Sequence, residues 1–193
     1  MAIVDRIKAI CLKPKEEWQV IAGESSTTQD LLKNYALPLA AIGAIIGFIG
    51  VGLIFGRVGL GLVSAIVGLA LRLGIVYLVA IIINELAPKF GGEKNLSQAL
   101  KVAVYAFTPA WISAVLAIVP ILNILAALAG ACYGIYLLYL GLPVLMKSPK
   151  EQATVYTVVV VVVGVVLSWI GTAVVAAIAM AGVVTTVGLP VVR

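Results

Sequence analysis

Hydrophobic residues run along this chain in five long blocks, at about 35–55, 60–86, 102–119, 122–146 and 154–181. Each block is near the roughly 20 apolar residues that a helix needs to cross the hydrocarbon of a bilayer, so the pattern predicts five transmembrane helices. Only Gly56, Arg57 and a few small residues separate the first two blocks. The largest polar break is APKFGGEKNLSQALK at 87–101, where Gly91–Gly92 reads as a turn and Asn95 or Ser97 as the cap of the next helix. Pro120 marks a tight hairpin between blocks three and four, and KSPKEQ at 147–152 leads into block five. No fixed-period repeat stands out, and an odd number of blocks argues against simple duplication.

Ahead of the blocks the period shortens to that of an amphipathic helix. Residues 2–13 place Ile3, Val4, Ile7, Ile10 and Cys11 at helical spacing, with Asp5, Arg6, Lys8 and Lys13 between them. Such a helix suits a membrane surface or a cap packed under the bundle. Pro14 interrupts it and opens a second short helix, with Trp18 and Ile21 on one side and Glu16 and Glu17 in the first turn. The run SSTTQD at 25–30 is a linker with helix-start chemistry. The expected organisation is an amphipathic cytoplasmic segment over 1–33, a five-span domain over 34–181 and a short tail over 182–193. Residues 1–33 carry five basic and five acidic side chains and no short apolar core before a cleavage site. The first block is therefore expected to stay in the mature protein.

Composition agrees with the pattern. The chain is 63% hydrophobic and 11% charged, against about 45–50% and about 25% in soluble domains. It has too little polar surface to solvate itself, and the expected class is an all-α polytopic membrane bundle. The +5 charge forms no nucleic-acid patch. Instead, Arg6, Lys8, Lys13, Lys15, Lys33, Lys89, Lys94, Lys101, Lys147 and Lys150 fall on the side of the N-terminus, against Arg57 and Arg193 on the other. Basic loops stay in the cytoplasm, so the N-terminus is expected inside a cytoplasmic or inner membrane and the C-terminus on the opposite side. Tyr35, Tyr105, Tyr139 and Tyr156 then fall near cytoplasmic ends as interfacial anchors. Cys11 and Cys132 read as unpaired thiols.

Much chemistry is excluded by what is missing. Without a histidine there is no Ser-His or Cys-His pair, no usual b-type haem ligand and no HExxH zinc site. The only aspartates, Asp5 and Asp30, precede the first block, which removes an intramembrane aspartyl protease. Neither a Walker loop nor a GxGxxG fingerprint occurs. No catalytic residue, metal site or cofactor is expected.

Arg72 stands midway along the second block, where a cation costs on the order of 3 kcal/mol. It either contacts an anion, headgroup or substrate, or is satisfied by neighbouring carbonyls and hydroxyls or by snorkelling. Glu85 is about 20 Å further along the same helix and cannot pair with it; it is expected with Asn84 near Lys89 or Lys101. Pro109, two residues before Trp111, predicts a kink that frees a carbonyl near Tyr105. Thr108, Ser113 and Asn123 supply polar groups nearby. Arg72, Glu85, Thr108, Pro109 and Asn123 form the candidate intramembrane site. Small residues recur at four-residue intervals: Gly43 and Gly47; Gly52 and Gly56; Ala126, Gly130 and Gly134; Gly164, Ser168, Thr172 and Ala176. Such stripes are helix-packing surfaces.

Four stretches share one pattern: Pro14, Trp18, Ile21 and Glu24; NELAPKFGGEKNLSQAL at 84–100; VAVYAFTPAW at 102–111; and YLLYLGLPVLMKSPKEQA at 136–153. Together they resemble the prokaryotic branch of the Yip (Ypt-interacting protein) family of five-span membrane proteins. The chain departs from eukaryotic members in showing no long cytoplasmic extension and no DLYGP-type motif before the first block. Their role with small GTPases in Golgi and ER trafficking is accordingly not carried over. The resemblance implies a five-helix bundle with the N-terminus in the cytosol, and no catalytic residue or established activity. The leading expectation is a non-enzymatic scaffold that assembles with itself or with other membrane proteins. The alternatives are a channel or small-solute transporter with a cavity around Arg72, and a protein that binds anionic lipid.

Overall fold

The computed structural model describes residues 3–118 and 120–187. The chain is helical with no strand among these residues: α1 (Ile3–Leu12), α2 (Pro14–Gly23), α3 (Thr28–Ile54), α4 (Val58–Leu86), α5 (Leu96–Ser113), α6 (Pro120–Leu145) and α7 (Lys150–Val187). Five of them, α3 to α7, are long and apolar enough to cross a membrane, as the five blocks predict.

The third span, α5, is the centre of the bundle. Residues 99–106 are buried without a break, the mark of a helix surrounded on all sides, and α5 packs against α3, α4 and α6. The others bury one face. Along α7, Val158, Val162, Val165, Val166 and Trp169 stand exposed, the surface a helix offers to lipid. At one end of the bundle α1 and α2 fold beneath the spans, with α2 packed on α6 and α1 reaching α5.

Local chemistry sets the boundaries. The Thr27 side chain accepts from the Asp30 N–H at 3.1 Å, so α3 begins at Thr28, earlier than the apolar block. Pro38 has no N–H to give Asn34, and the backbone widens into a π-turn over Leu32–Ala36 just before it. Asn95 caps α5 as expected, accepting from the Gln98 N–H at 3.1 Å. In the preceding turn Gly91 takes φ +70°, and a Cβ on Gly92 would lie 2.6 Å from the Met146 carbonyl oxygen. The Glu93 N–H donates to that same carbonyl at 2.8 Å, tying the α4–α5 turn to the α6–α7 turn.

Two expectations change. Tyr35, Tyr105 and Tyr156 are buried rather than interfacial; only Tyr139 of that set is exposed. Trp18 of the α1–α2 cap packs on Tyr105 and Tyr105 on Tyr35, so the level at which these two sit is protein interior. Tyr156 donates to the Ile83 carbonyl and stacks on Phe90 at 4.6 Å. At the other terminus α7 continues through Val187, and the remainder of the expected tail, 188–193 with Arg193, lies outside the described residues.

Candidate functional site

Helices α3 and α7 both pack on α4, and between them, over α4, lies a cavity of about 440 Å³. Gly43, Gly47 and Val51 of α3 form one wall, and Ser168, Gly171, Thr172 and Ala176 of α7 the other. Ser64, Gly68 and Arg72 of α4 make the floor, with Phe107 of α5 behind. The Arg72 guanidinium crosses to α3, and its carbon and both terminal nitrogens lie 3.1–3.2 Å from where a Cβ at position 43 would stand. Any larger residue at 43 would make the guanidinium give way by a few tenths of an ångström. The ion pairs among the described residues use Arg6, Lys13, Lys94 and Lys147, and Arg72 takes no part in them.

The remaining wall is largely apolar. Ser168 donates its hydroxyl proton to the Gly164 carbonyl at 2.7 Å and Thr172 donates to the Ser168 carbonyl at 2.8 Å, so both present only lone pairs. The Ser64 hydroxyl is buried with no partner among the described residues. The cavity thus offers a guanidinium fork in an apolar recess. That is equipment for holding an anion through charge-assisted hydrogen bonds.

None of the other predicted site residues, Glu85, Thr108, Pro109 and Asn123, is among those that line the cavity. Thr108 is buried on α5, 3.1 Å from the Tyr35 hydroxyl and bonded to the Val104 carbonyl. Pro109 follows it, buried, and Asn123 stands half-buried near the start of α6. Glu85 pairs across the α4–α5 turn with Lys94, not with Lys89 or Lys101, and accepts from the Asn84 amide at 3.0 Å. Since neither Tyr35 nor Thr108 lines the cavity, Tyr35→Phe is expected to lower stability by about 1 kcal/mol. A chemical unfolding curve would show that shift, with any binding at Arg72 unchanged.

The small-residue stripes divide. A Cβ on Gly130 would lie 3.0 Å from the Pro109 carbonyl oxygen, and one on Gly134 would lie 2.8 Å from that of Ala106; these two seat α6 on α5. A Cβ on Gly61 would fall 2.5 Å from the Gly52 Cα, where α3 crosses α4. Gly164 faces Val79. Gly43, Gly47, Ser168, Thr172 and Ala176 line the cavity instead.

A second polar cluster lies under the cap. Arg6 pairs with both Glu17 and Glu24, and its guanidinium carbon sits 5.8 Å from the centre of the Tyr105 ring. Burial pulls the Arg6 pKa down, but the hydrogen bond to Glu24 and the surrounding negative groups outweigh it and leave the pKa above its ordinary value. Lys101, expected in a cytoplasmic loop, is 2% exposed and donates to the Ile21 carbonyl at 3.0 Å and to the Glu24 carbonyl. Gln98 adds a bond to the Ala22 carbonyl at 3.1 Å. The first turns of α5 therefore supply the donors that the C-terminal carbonyls of α2 lack, with a cation at the negative end of that helix. Trp18, fully buried, lies edge-on to Tyr105 and flat against Gly141 of α6. The signal for this cluster was present in the sequence: Arg6 falls on the stripe of Ile3, Ile7 and Ile10, and Glu17 on that of Pro14, Trp18 and Ile21.

A family model described as the Yip1 domain matches residues 8–171, from within α1 into the last helix. No curated protein and no solved structure matches. With five membrane-crossing helices and a match over most of its length, the chain is an integral membrane protein that belongs to the Yip1 domain family.

Proposed function

We propose that this protein works without covalent chemistry, by binding an anionic ligand inside the membrane in the cavity floored by Arg72, with the capped end of the bundle in the cytoplasm. The observation that carries the reading is a mid-helix guanidinium that faces a cavity and enters none of the ion pairs of the described residues. An arginine satisfied by its own bundle needs no ligand; one left open in hydrocarbon is stabilised by an anion that brings its own charge. The buried core between Arg72 and the capped end, which includes Val76, Val79, Ala80 and Ile83, favours a binding site over a water-filled conduit. The orientation is supported by the distribution of lysine and arginine along the chain.

A direct test titrates dodecyl phosphate onto the purified protein, with dodecyl maltoside as the uncharged control. Saturation at about a hundred times Kd stabilises a one-site protein by about 2.7 kcal/mol, so a rise of several degrees in Tm is expected. Arg72→Ala is expected to abolish the rise, and Arg72→Lys to keep part of it, a point charge replacing a fork. No rise, or one equal in the Arg72→Ala variant, rejects the reading.

The scaffold reading is favoured by a different observation, the cap tied together by the ion pairs of Arg6 with Val4, Leu12 and Val20 exposed on it. Deleting residues 1–24 is expected on that reading to abolish recovery of crosslinked partners, and unchanged recovery would count against it.

A further inference from the structure

Resting on the anion-binding reading, we infer that the ligand is an acidic membrane lipid whose phosphodiester headgroup enters sideways between α3 and α7 while its acyl chains stay outside. Three features of the cavity lead there. The route toward the capped end is closed, because Val76, Val79, Ala80 and Ile83 of α4 are buried together with Leu39 and Ala40 of α3. In the other direction α3 rests directly on α4 at Gly52 and Gly61, backbone against backbone. Among the described residues the side is exposed: Gly47, Arg72 and Thr172 all lie open. Ile45, Ile66 and Trp169, exposed on the same three helices, put this level in the hydrocarbon. A ligand that arrives from the bilayer is an amphiphile, not a water-borne ion.

The dimensions and donors fit a headgroup. From Ser64 to Ile75 the floor runs about 16 Å along α4, and 440 Å³ falls within the roughly 300–1,000 Å³ of small-molecule sites. The planar fork of Arg72 matches two phosphate oxygens. The small residues at 43 and 47 are the doorway, since a Cβ at 47 would meet nothing within 4 Å. Gly47→Leu therefore sets a branched side chain at the mouth, its Cβ in open space, and leaves the Arg72 charge in place.

The test uses the full chain in nanodiscs of phosphatidylcholine containing a minority of phosphatidylglycerol. Lipid retained by the protein is counted by native mass spectrometry, with and without free glycerol phosphate in the buffer. Wild type is expected to retain phosphatidylglycerol at least tenfold over its share of the disc. Arg72→Ala and Gly47→Leu should each lose that enrichment, and free glycerol phosphate should not compete. Both variants are expected to fold, one removing an unpaired charge and the other adding apolar volume to open space; unchanged Tm values verify it. Competition by free glycerol phosphate, with Gly47→Leu still enriched, overturns the lipid and its lateral entry while leaving the anionic ligand standing. Equal retention of both lipids, unchanged in Arg72→Ala, also overturns it. If dodecyl phosphate fails to bind as well, the reading beneath it falls too.

Discussion

Gly134→Val is expected to destabilise the bundle by about 3 kcal/mol, whereas Gly47→Val is expected to stay within about 0.5 kcal/mol of wild type. Both glycines belong to four-residue stripes that look alike in the sequence, and both sit in long apolar helices. Their surroundings differ. A Cβ at 134 would stand 2.8 Å from the Ala106 carbonyl oxygen, a backbone atom in the most buried helix of the protein, so relief requires α6 to lift away from α5. The loss spreads to the neighbours that depend on the close approach, including Leu137 and Leu138 on one side and Tyr105 on the other, all in one buried core. At 47 the new side chain enters open space and gains β-branched surface in a helix that already holds many isoleucines. Unfolding of both variants in mild detergent, followed by circular dichroism against denaturant, measures the difference. Equal midpoints would mean that α5 and α6 are not seated on each other as described.

The same pair of glycines shows how far the sequence goes. Five spans follow from hydropathy because a bilayer demands apolar length whatever the partners of each helix. Caps are equally local, and Asn95 does what its position predicts. A stripe of small residues, by contrast, states only that something comes close. At Gly130 and Gly134 it is another helix; at Gly43 it is the Arg72 guanidinium; at Gly47 it is empty space. Which of these holds depends on how α3 and α7 lean on α4, a property of the whole bundle. Arg72 was legible as an anomaly, yet which residues share its cavity was not.

The cap was legible in a subtler way. Amphipathic spacing in 2–13 and 14–24 fits a membrane surface and a docked cap equally well, and counting lysines and arginines by segment treats every cation as solvated. Arg6 and Lys101 break that assumption because each stands among apolar neighbours of its own helix. A cation inside an apolar stripe has to find an anion or a carbonyl, and these two find Glu17, Glu24 and the end of α2.

That arrangement makes Lys101→Met the variant with the second large effect, an undocked cap on an intact bundle. The cluster holds two cations, Arg6 and Lys101, against two carboxylates, Glu17 and Glu24. Removing Lys101 strips the Ile21 and Glu24 carbonyls of a donor and leaves one negative charge uncompensated. Leaving two carbonyls without their charged donor costs about 1–3 kcal/mol, and the stranded charge adds little because the Glu24 side chain is 37% exposed and screened by water. About 2 kcal/mol, the middle of that range, converts to about thirtyfold more of the undocked form. Cys11 reports it. Its thiol is half-buried on α1, and burial holds the pKa above the ordinary thiol value, so undocking both exposes it and restores its thiolate. In a Cys132→Ala background, maleimide labelling of Cys11 in Lys101→Met is expected to run faster, by at most about thirtyfold, while the unfolding midpoint of the spans barely moves. Adding Glu24→Gln removes the stranded charge but not the bare carbonyls, so it should recover part of the protection and not all. Labelling at the wild-type rate would show instead that Ile10, Trp18 and Ile21 hold the cap by apolar contact alone, with Lys101 a dispensable charge.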